Sequence, residues 1–242
     1  MGIKKILKNG VLAYGFLFHK NRYSKVLFYH DAGVIYTDMG TPMDLIKKHI
    51  GVIKSCGFEI VENISKQENQ IMLCFDDGWS GIYDEKDFFI KNKIFPTVFI
   101  AVCLIGAEGH LTIEQIKELA KLGFHFETHS WSHDNLAQYN DEDLHHELFD
   151  SKVEMERLLS MRFDAICYPQ GLFSDKVIKM SNTVGYKRQF SSIWGAYYDK
   201  IETKGIICRD LVQNISPKVL KFVIEGASPY LTSRYLAQHY KK

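Results

Sequence analysis

The chain has 242 residues, of which 46% are hydrophobic, 24% charged and 13% aromatic, with 17 Gly and 5 Pro. This is the composition of a folded globular protein of one large α/β domain or two small ones, and it excludes collagen-like or broadly disordered organisation. Thirty basic against 29 acidic residues leave a formal charge of +1, which argues against nucleic acid as a partner and leaves room only for a local basic patch.

The opening segment, MGIKKILKNGVLAYGFLF, sets Lys4, Lys5 and Lys8 ahead of the apolar stretch from Val11 to Phe18. As a signal peptide its apolar part is short, holds Tyr14 and Gly15, and runs into HKNR instead of a small-residue cleavage site. It is also too short to span a bilayer. Ile3, Ile6, Leu7 and Tyr14 fit one face of a helix, with the lysines mostly elsewhere. Such a basic amphipathic helix can lie on an anionic membrane surface, or it can pack on the domain and close a barrel end; the sequence leaves both open. Residues 1–24 are therefore set apart as an N-terminal segment.

From residue 25 onward, short β-rich runs alternate with helical patterns. KVLFYH (25–30) reads as a strand, 42–56 as a helix ended by Gly57, FEIV as a strand, and ENISKQENQ as a polar connection to the strand IMLCF. A helix over 81–92 precedes Pro96 and the strand TVFIAV. The helix TIEQIKELAKLG (112–123) opens with Thr112 and Gln115 at capping-box spacing and stops at Gly123. FHFETH follows as a strand, then a long helix over 141–160, the run AICYPQG, a helix near 175–183, the strands YKRQFSS and IICRDLV, and a helix SPKVLKFVIEG. Strand–helix alternation predicts a parallel sheet with crossover helices in a single domain over 25–226, followed by a tail over 227–242. Periodicity does not separate an open doubly wound sheet from a barrel, but both place functional side chains at the carboxyl ends of strands.

Five cysteines, an odd number without a CxxC pair, sit mostly in apolar strand-like runs such as IMLCF and VFIAVC. They read as core thiols in a reducing compartment. With no convincing signal peptide, a protein of the cytoplasm or of the inner face of the membrane is expected, with secretion as the alternative.

The polar residues at strand ends carry the chemistry. Asp76, Asp77 and Gly78 follow IMLCF; His129 and His133 bracket HSWSH after FHFET; Tyr168, Pro169, Gln170 and Gly171 follow AIC; His30 follows KVLFY. Two imidazoles and one carboxylate, with positions left for water, suit zinc, iron or another first-row divalent ion. A second carboxylate is then free for acid–base work.

IMLCFDDGW, HSWSH and YPQG, in this order and spacing, resemble the polysaccharide deacetylases of carbohydrate esterase family 4, and the likeness runs over about residues 25–212. The resemblance implies a distorted (β/α) barrel and a metal-dependent hydrolase that removes an N-acetyl group from an amino sugar of a polysaccharide or glycan precursor. It implies Asp76 as general base, Asp77, His129 and His133 as ligands of a divalent ion, commonly zinc, and a backbone N–H at Gln170 as oxyanion donor, with Pro169 and Tyr168 forming the adjoining groove. The YH pair Tyr29–His30 is similar to a subset related to exopolysaccharide poly-N-acetylglucosamine deacetylases, which implies His30 as general acid.

Four departures stand out. Gln170 replaces the usual Tyr, and Cys167 stands where many members place an Arg that orients the catalytic Asp. Arg209 is the candidate substitute, with surface placement as the alternative. The only late histidine, His239, lacks the family's carboxyl-terminal motif, and the usual acidic and Trp motif after YPQG is not evident. Trp194 either stacks on a sugar ring or packs in the core. If the N-terminus does bind membrane, a lipid-linked glycan becomes the favoured substrate. The same scaffold also accommodates deformylases and other C–N amide hydrolases, and a carbohydrate-binding protein with reduced turnover. Oligomeric state is not legible.

Overall fold

Strands that sequence alone reads as near-continuous apolar runs are those of a parallel sheet buried on both faces, and the computed structural model has that architecture. It describes residues 3–33, 39–199 and 203–241, with side chains from Leu7 onward, so the proposed faces of Ile3 and Ile6 lie outside the described residues.

In chain order the elements are α1 (Ile3–Phe18), β1 (Lys25–Tyr29), β2 (Asp31–Ala32), β3 (Gly40–Thr41), α2 (Met43–Ser55), β4 (Glu59–Val61), β5 (Gln70–Phe75), α3 (Gly81–Asp84), α4 (Lys86–Lys91), β6 (Thr97–Ile100), α5 (Ile113–Lys121) and β7 (His125–Thr128). A continuous helix follows, made of α6 (Asp141–His145), a π-helical turn (His146–Asp150) and α7 (Ser151–Leu159). Then come β8 (Ala165–Cys167), α8 (Asp175–Val184), β9 (Arg188–Phe190), β10 (Asp210–Leu211), α9 (Pro217–Phe222) and α10 (Thr232–His239).

The main sheet runs β10-β1-β5-β6-β7-β8-β9, all parallel, with β4 beside the amino-terminal half of β5 and β6 beside its carboxyl-terminal half. The sheet curls: Phe99 on β6 and Phe190 on β9 stand 5.3 Å apart between ring centroids although two strands lie between them. A single bridge between Phe190 and Ile207, just before β10 returns to β1, ties the two ends. The result is the distorted (β/α) barrel that the family resemblance implied. Alternation sends Val26, Phe28, Met72, Cys74, Phe99 and Cys167 to one buried cluster inside the curl. The opposite strand face packs on helices through residues such as Leu27, Tyr29, Leu73, Ile46 and Ile50.

The capping box at the start of α5 forms in full, with Thr112 Oγ1 accepting from Gln115 N–H and Gln115 Oε1 accepting from Thr112 N–H. Other expectations need correction. The helix over 81–92 is broken at Glu85 into α3 and α4, and the strand over 206–212 shrinks to β10 because Asp210 and Leu211 alone meet β1. Cys103 is exposed in a 3-10 turn after β6, while Cys74, Cys167 and Cys208 are buried; none of the five forms a disulfide. The tail over 227–242 carries α10. The two terminal segments also pack on one another: Gly15 of α1 sits so close to Ala227 and Tyr230 that a Cβ there would lie 2.8 Å from the Tyr230 ring.

The chain leaving β1 is tied to the start of α3 by Asp31, whose Oδ1 accepts from the N–H of Ala32 and of Gly81. A Cβ on Gly81 would stand 2.0 Å from the Ala32 carbonyl oxygen, which is backbone and cannot step aside. Gly81→Ala is therefore expected to cost about 3 kcal/mol and lower the melting temperature by roughly 6–12 °C in a thermal unfolding scan.

Candidate active site

Register brings the strand ends together. Tyr29 pairs with Phe75, so His30 and Asp76 leave the sheet side by side. Ile100 pairs with Thr128 and Thr128 with Ile166, so His129 emerges beside Cys167. These ends open on a cavity of about 350 Å³ bordered by His30, Asp76, Asp77, His129, His133 and Gln170, in the size range of small-ligand sites.

The backbone here is bent out of ordinary conformations. Asp77 (φ 68°), Ser130 (φ 67°), His133 (φ 65°) and Gln170 (φ 57°) are left-handed without being glycine, a state that costs of order 1–3 kcal/mol each and persists only where the surroundings impose it. One such support is Glu147, buried on the π-helical turn, whose Oε2 accepts from the N–H of both Trp131 and Ser132 at 3.0 Å. Ser130 Oγ accepts from His133 N–H across the same loop. The extra residue of a π turn re-aims side chains and recurs at functional sites; here that turn carries Glu147 to the histidine loop.

Asp77, His129 and His133 converge. Asp77 Oδ1 lies 3.4 Å from His129 Nε2 and 3.0 Å from His133 Nε2, yet this buried oxygen has no hydrogen bond among the described residues. The reason is visible at His129, whose Nδ1 is 2.6 Å from the Cys167 carbonyl oxygen and therefore carries the proton. Its Nε2 then presents a lone pair, facing a carboxylate oxygen. Lone pairs turned toward one another at close range, with the outer nitrogen of a histidine bonded to a carbonyl, are what a divalent cation needs. These three residues fit a metal ion.

Asp76, His129 and Cys167 also cluster, but a guanidinium is already there. Arg209, fully buried, donates from Nη1 to Asp76 Oδ1 and from Nη2 to Asp76 Oδ2, both at 2.7 Å, with Nη2 also 2.7 Å from Cys167 Sγ. A cation added there would be repelled, so the metal position is the Asp77 group. The alternative of a surface Arg209 is corrected: β10 runs level with the middle of β1, and the long side chain reaches up the inside of the curl to Asp76.

His30 borders the cavity with Nδ1 2.8 Å from Gln213 Oε1, which leaves Nε2 free of that bond. Gln170 lies at the cavity with an exposed side chain on a 3-10 turn (Pro169–Gly171). Two groove residues are placed differently from the expectation. Pro169 is buried at the start of that turn and is not part of the cavity lining. Tyr168 touches the cavity, but its hydroxyl turns away to Ser181 Oγ and Gln189 Oε1 because β9 and α8 offer buried polar partners there. Trp194, 1% exposed, is packed under Lys8 and against Tyr235, so its face is not open for a sugar to stack on.

Sequence reasoning passed over Glu147 and Gln213, and gave Lys8 and His239 no place at the site. The last two border the same cavity from the terminal segments; only the missing carboxyl-terminal motif had hinted that His239 needed a structural answer.

Residues 63–188, just over half of the chain, match the family described as Polysaccharide deacetylase. Among curated proteins, Bacillus subtilis YxkH is 27% identical over 144 residues, covering 59% of this chain and 52% of its own length. The Bacillus subtilis peptidoglycan-N-acetylmuramic acid deacetylase PdaA is 26% identical over 133 residues, covering 52% and 48%. The chain thus spans about half the length of these relatives. Among solved structures, the Streptococcus pyogenes deacetylase PplD in complex with acetate superposes with a TM-score of 0.74 at 21% identity, covering 85% of this chain and 99% of that one. IcaB from Ammonifex degensii gives 0.71 at 17% identity, with 85% and 98% covered. At these identities the structural likeness shows a shared fold.

Proposed function

The chain belongs to the polysaccharide deacetylase family, and from that premise we propose that it is a zinc-dependent hydrolase removing the N-acetyl group from an amino sugar of a polysaccharide or glycan precursor. The observation that carries this reading is the buried, unbonded Asp77 Oδ1 facing two imidazole nitrogens, with a second carboxylate, Asp76, held apart from it by Arg209.

The ion that Asp77, His129 and His133 would hold supplies Lewis acidity to the acetyl carbonyl and acidifies the attacking water. Asp76 accepts the proton that water loses as its oxygen joins the carbonyl carbon. Arg209 fixes the plane of that carboxylate through two parallel bonds. The main-chain N–H of Gln170 donates to the oxygen that becomes negative, a role that needs no Tyr side chain. His30, anchored by Gln213, gives a proton from Nε2 to the amine nitrogen as the C–N bond breaks, releasing acetate and a neutral amine. His239 suits that step less, because burial and the Lys241 charge lower its pKa.

Acetate release from N-acetylglucosamine oligomers and lipid-linked N-acetyl sugars, measured beside formate release from the formylated sugars, tests the assignment. Formate alone would make the protein a deformylase; neither product, with sugar still bound, would make it a binding protein. Chelator dialysis is expected to lower acetate release at least a hundredfold, with one equivalent of zinc restoring it. Asp77→Ala is expected to reduce zinc, measured by elemental analysis, from near one per chain to about a tenth of that.

The reading extends to a membrane surface. On α1, Leu7, Val11, Tyr14 and Phe18 recur at helical spacing and are exposed, and Leu17 beside them is 69% exposed. No Asp or Glu occurs before Asp31, whereas Lys4, Lys5, Lys20 and Arg22 do, besides Lys8 and Lys25 which turn inward; this charge balance suits anionic phospholipid. No helix among the described residues is long and apolar enough to cross a membrane. The chain is expected to sediment with phosphatidylglycerol vesicles and not with phosphatidylcholine vesicles, and the double variant Leu17→Glu/Phe18→Glu to lose most of that binding. Equal binding to both lipids refutes the reading, as does a dimer that the double variant dissolves, which would give the stripe to a second copy.

A further inference from the structure

The wall supplied by the two chain termini has a chemistry that deacetylation does not use. Trp194, Tyr235 and His239 form a near-parallel ladder of rings, 5.7 Å apart at 15° and 5.9 Å apart at 10°, and all three border the cavity. Lys8 of α1 closes its end, with Nζ 3.6 Å from the Trp194 ring centroid and 5.6 Å from that of Tyr235. Among the described residues that ammonium makes no hydrogen bond or ion pair, although it can donate three hydrogen bonds. Behind it, Asp210 attracts the charge, but its Oδ1 accepts from Gly195 N–H and its field is shared with the buried Lys25. Burial outweighs Asp210 and pulls the Lys8 pKa down to about 8. At the other end of the ladder His239 is 7% exposed, and its Nδ1 has no hydrogen bond among the described residues.

A partly buried ammonium without a hydrogen bond among the described residues borders the same cavity as the metal-fitting residues. An aromatic face recovers only part of what an ammonium loses on leaving water, and an oxyanion supplies the remainder as a charge-assisted hydrogen bond. We propose that Lys8 forms an anion subsite, so that the amino sugar acted on here carries a phosphate or a carboxylate group. The inference rests on the hydrolase reading for the word substrate, but its binding component does not.

The zinc-loaded 242-residue chain tests it with product sugars that cannot turn over. By calorimetry, glucosamine 1-phosphate or muramic acid is expected to bind about tenfold tighter than glucosamine. Lys8→Met is expected to erase that preference and Lys8→Arg to keep most of it. A preference for glucosamine 1-phosphate alone assigns the subsite to phosphate, and one for muramic acid alone to carboxylate. Equal binding of all three sugars overturns the proposal, and so does a preference that survives Lys8→Met, since zinc itself would then be holding the anion. In turnover, the ratio of kcat/KM for N-acetylglucosamine 1-phosphate over the neutral tetramer is expected to fall about tenfold in Lys8→Met. Because calorimetry reads the subsite without any acetate being released, failure of the subsite and failure of the deacetylase reading give different results.

Discussion

Asp76→Asn is expected to lower kcat for acetate release by about 10²- to 10⁴-fold, the range that loss of a positioned general base commands, while zinc content stays near one per chain. The two carboxylates are adjacent in sequence, yet their surroundings are opposite. Asp77 turns an unbonded oxygen to two imidazoles, whereas both oxygens of Asp76 face a guanidinium. An amide at position 76 keeps its shape and can still accept one bond from Arg209, but it cannot take a proton from water. The substitution also leaves a fully buried guanidinium facing a neutral group, and breaking a buried pair from one side costs about 3–5 kcal/mol. Rates must therefore be compared well below the lowered melting temperature. A variant within threefold of the parent, folded and metal-loaded, would remove Asp76 from the chemistry.

The strands were legible because a parallel sheet buried on both faces writes apolar runs into the chain, and the chemistry sits where IMLCF, FHFET, KVLFY and AICY stop. What stayed hidden depends on distance in sequence or on side-chain length. Arg209 meets Asp76 across 133 positions, through the interior of a curl that no local pattern encodes. Glu147 reaches the histidine loop only because the helix over 141–159 takes a π turn, and hydrophobic periodicity does not show a single inserted residue. Trp194 reads equally well as a stacking platform or as core until Lys8 and Tyr235 are seen on it. The termini misled for a related reason: α1 and α10 are each short and mixed in character, and become walls of the cavity only by packing on the segment that joins them to the barrel.

Arg209→Met tests the departure that most invites an inactive reading, the Cys167 that stands where the family often carries its orienting Arg. If Arg209 does that work from its place just before β10, kcat is expected to fall about a hundredfold or more while KM changes little, because a positioning residue acts on the base and not on the bound sugar. Zinc content should not move, since the Asp77 group does not touch the guanidinium. Stability should fall by about 3–5 kcal/mol, as Asp76 is then left buried without its partner. Loss of stability alone would not distinguish orientation from packing, so the decisive variant is the exchange Cys167→Arg with Arg209→Cys. Sγ of Cys167 already lies 2.7 Å from Arg209 Nη2, so a guanidinium rooted at position 167 enters the same space and can face the same two oxygens. The exchange is expected to recover at least tenfold of the rate that Arg209→Met loses, measured as kcat at constant zinc occupancy. An Arg209→Met protein with full kcat would show that the guanidinium only fills the interior; an exchange that restores the melting temperature but not the rate would show that orientation from just before β10 differs in kind from orientation beside Pro169.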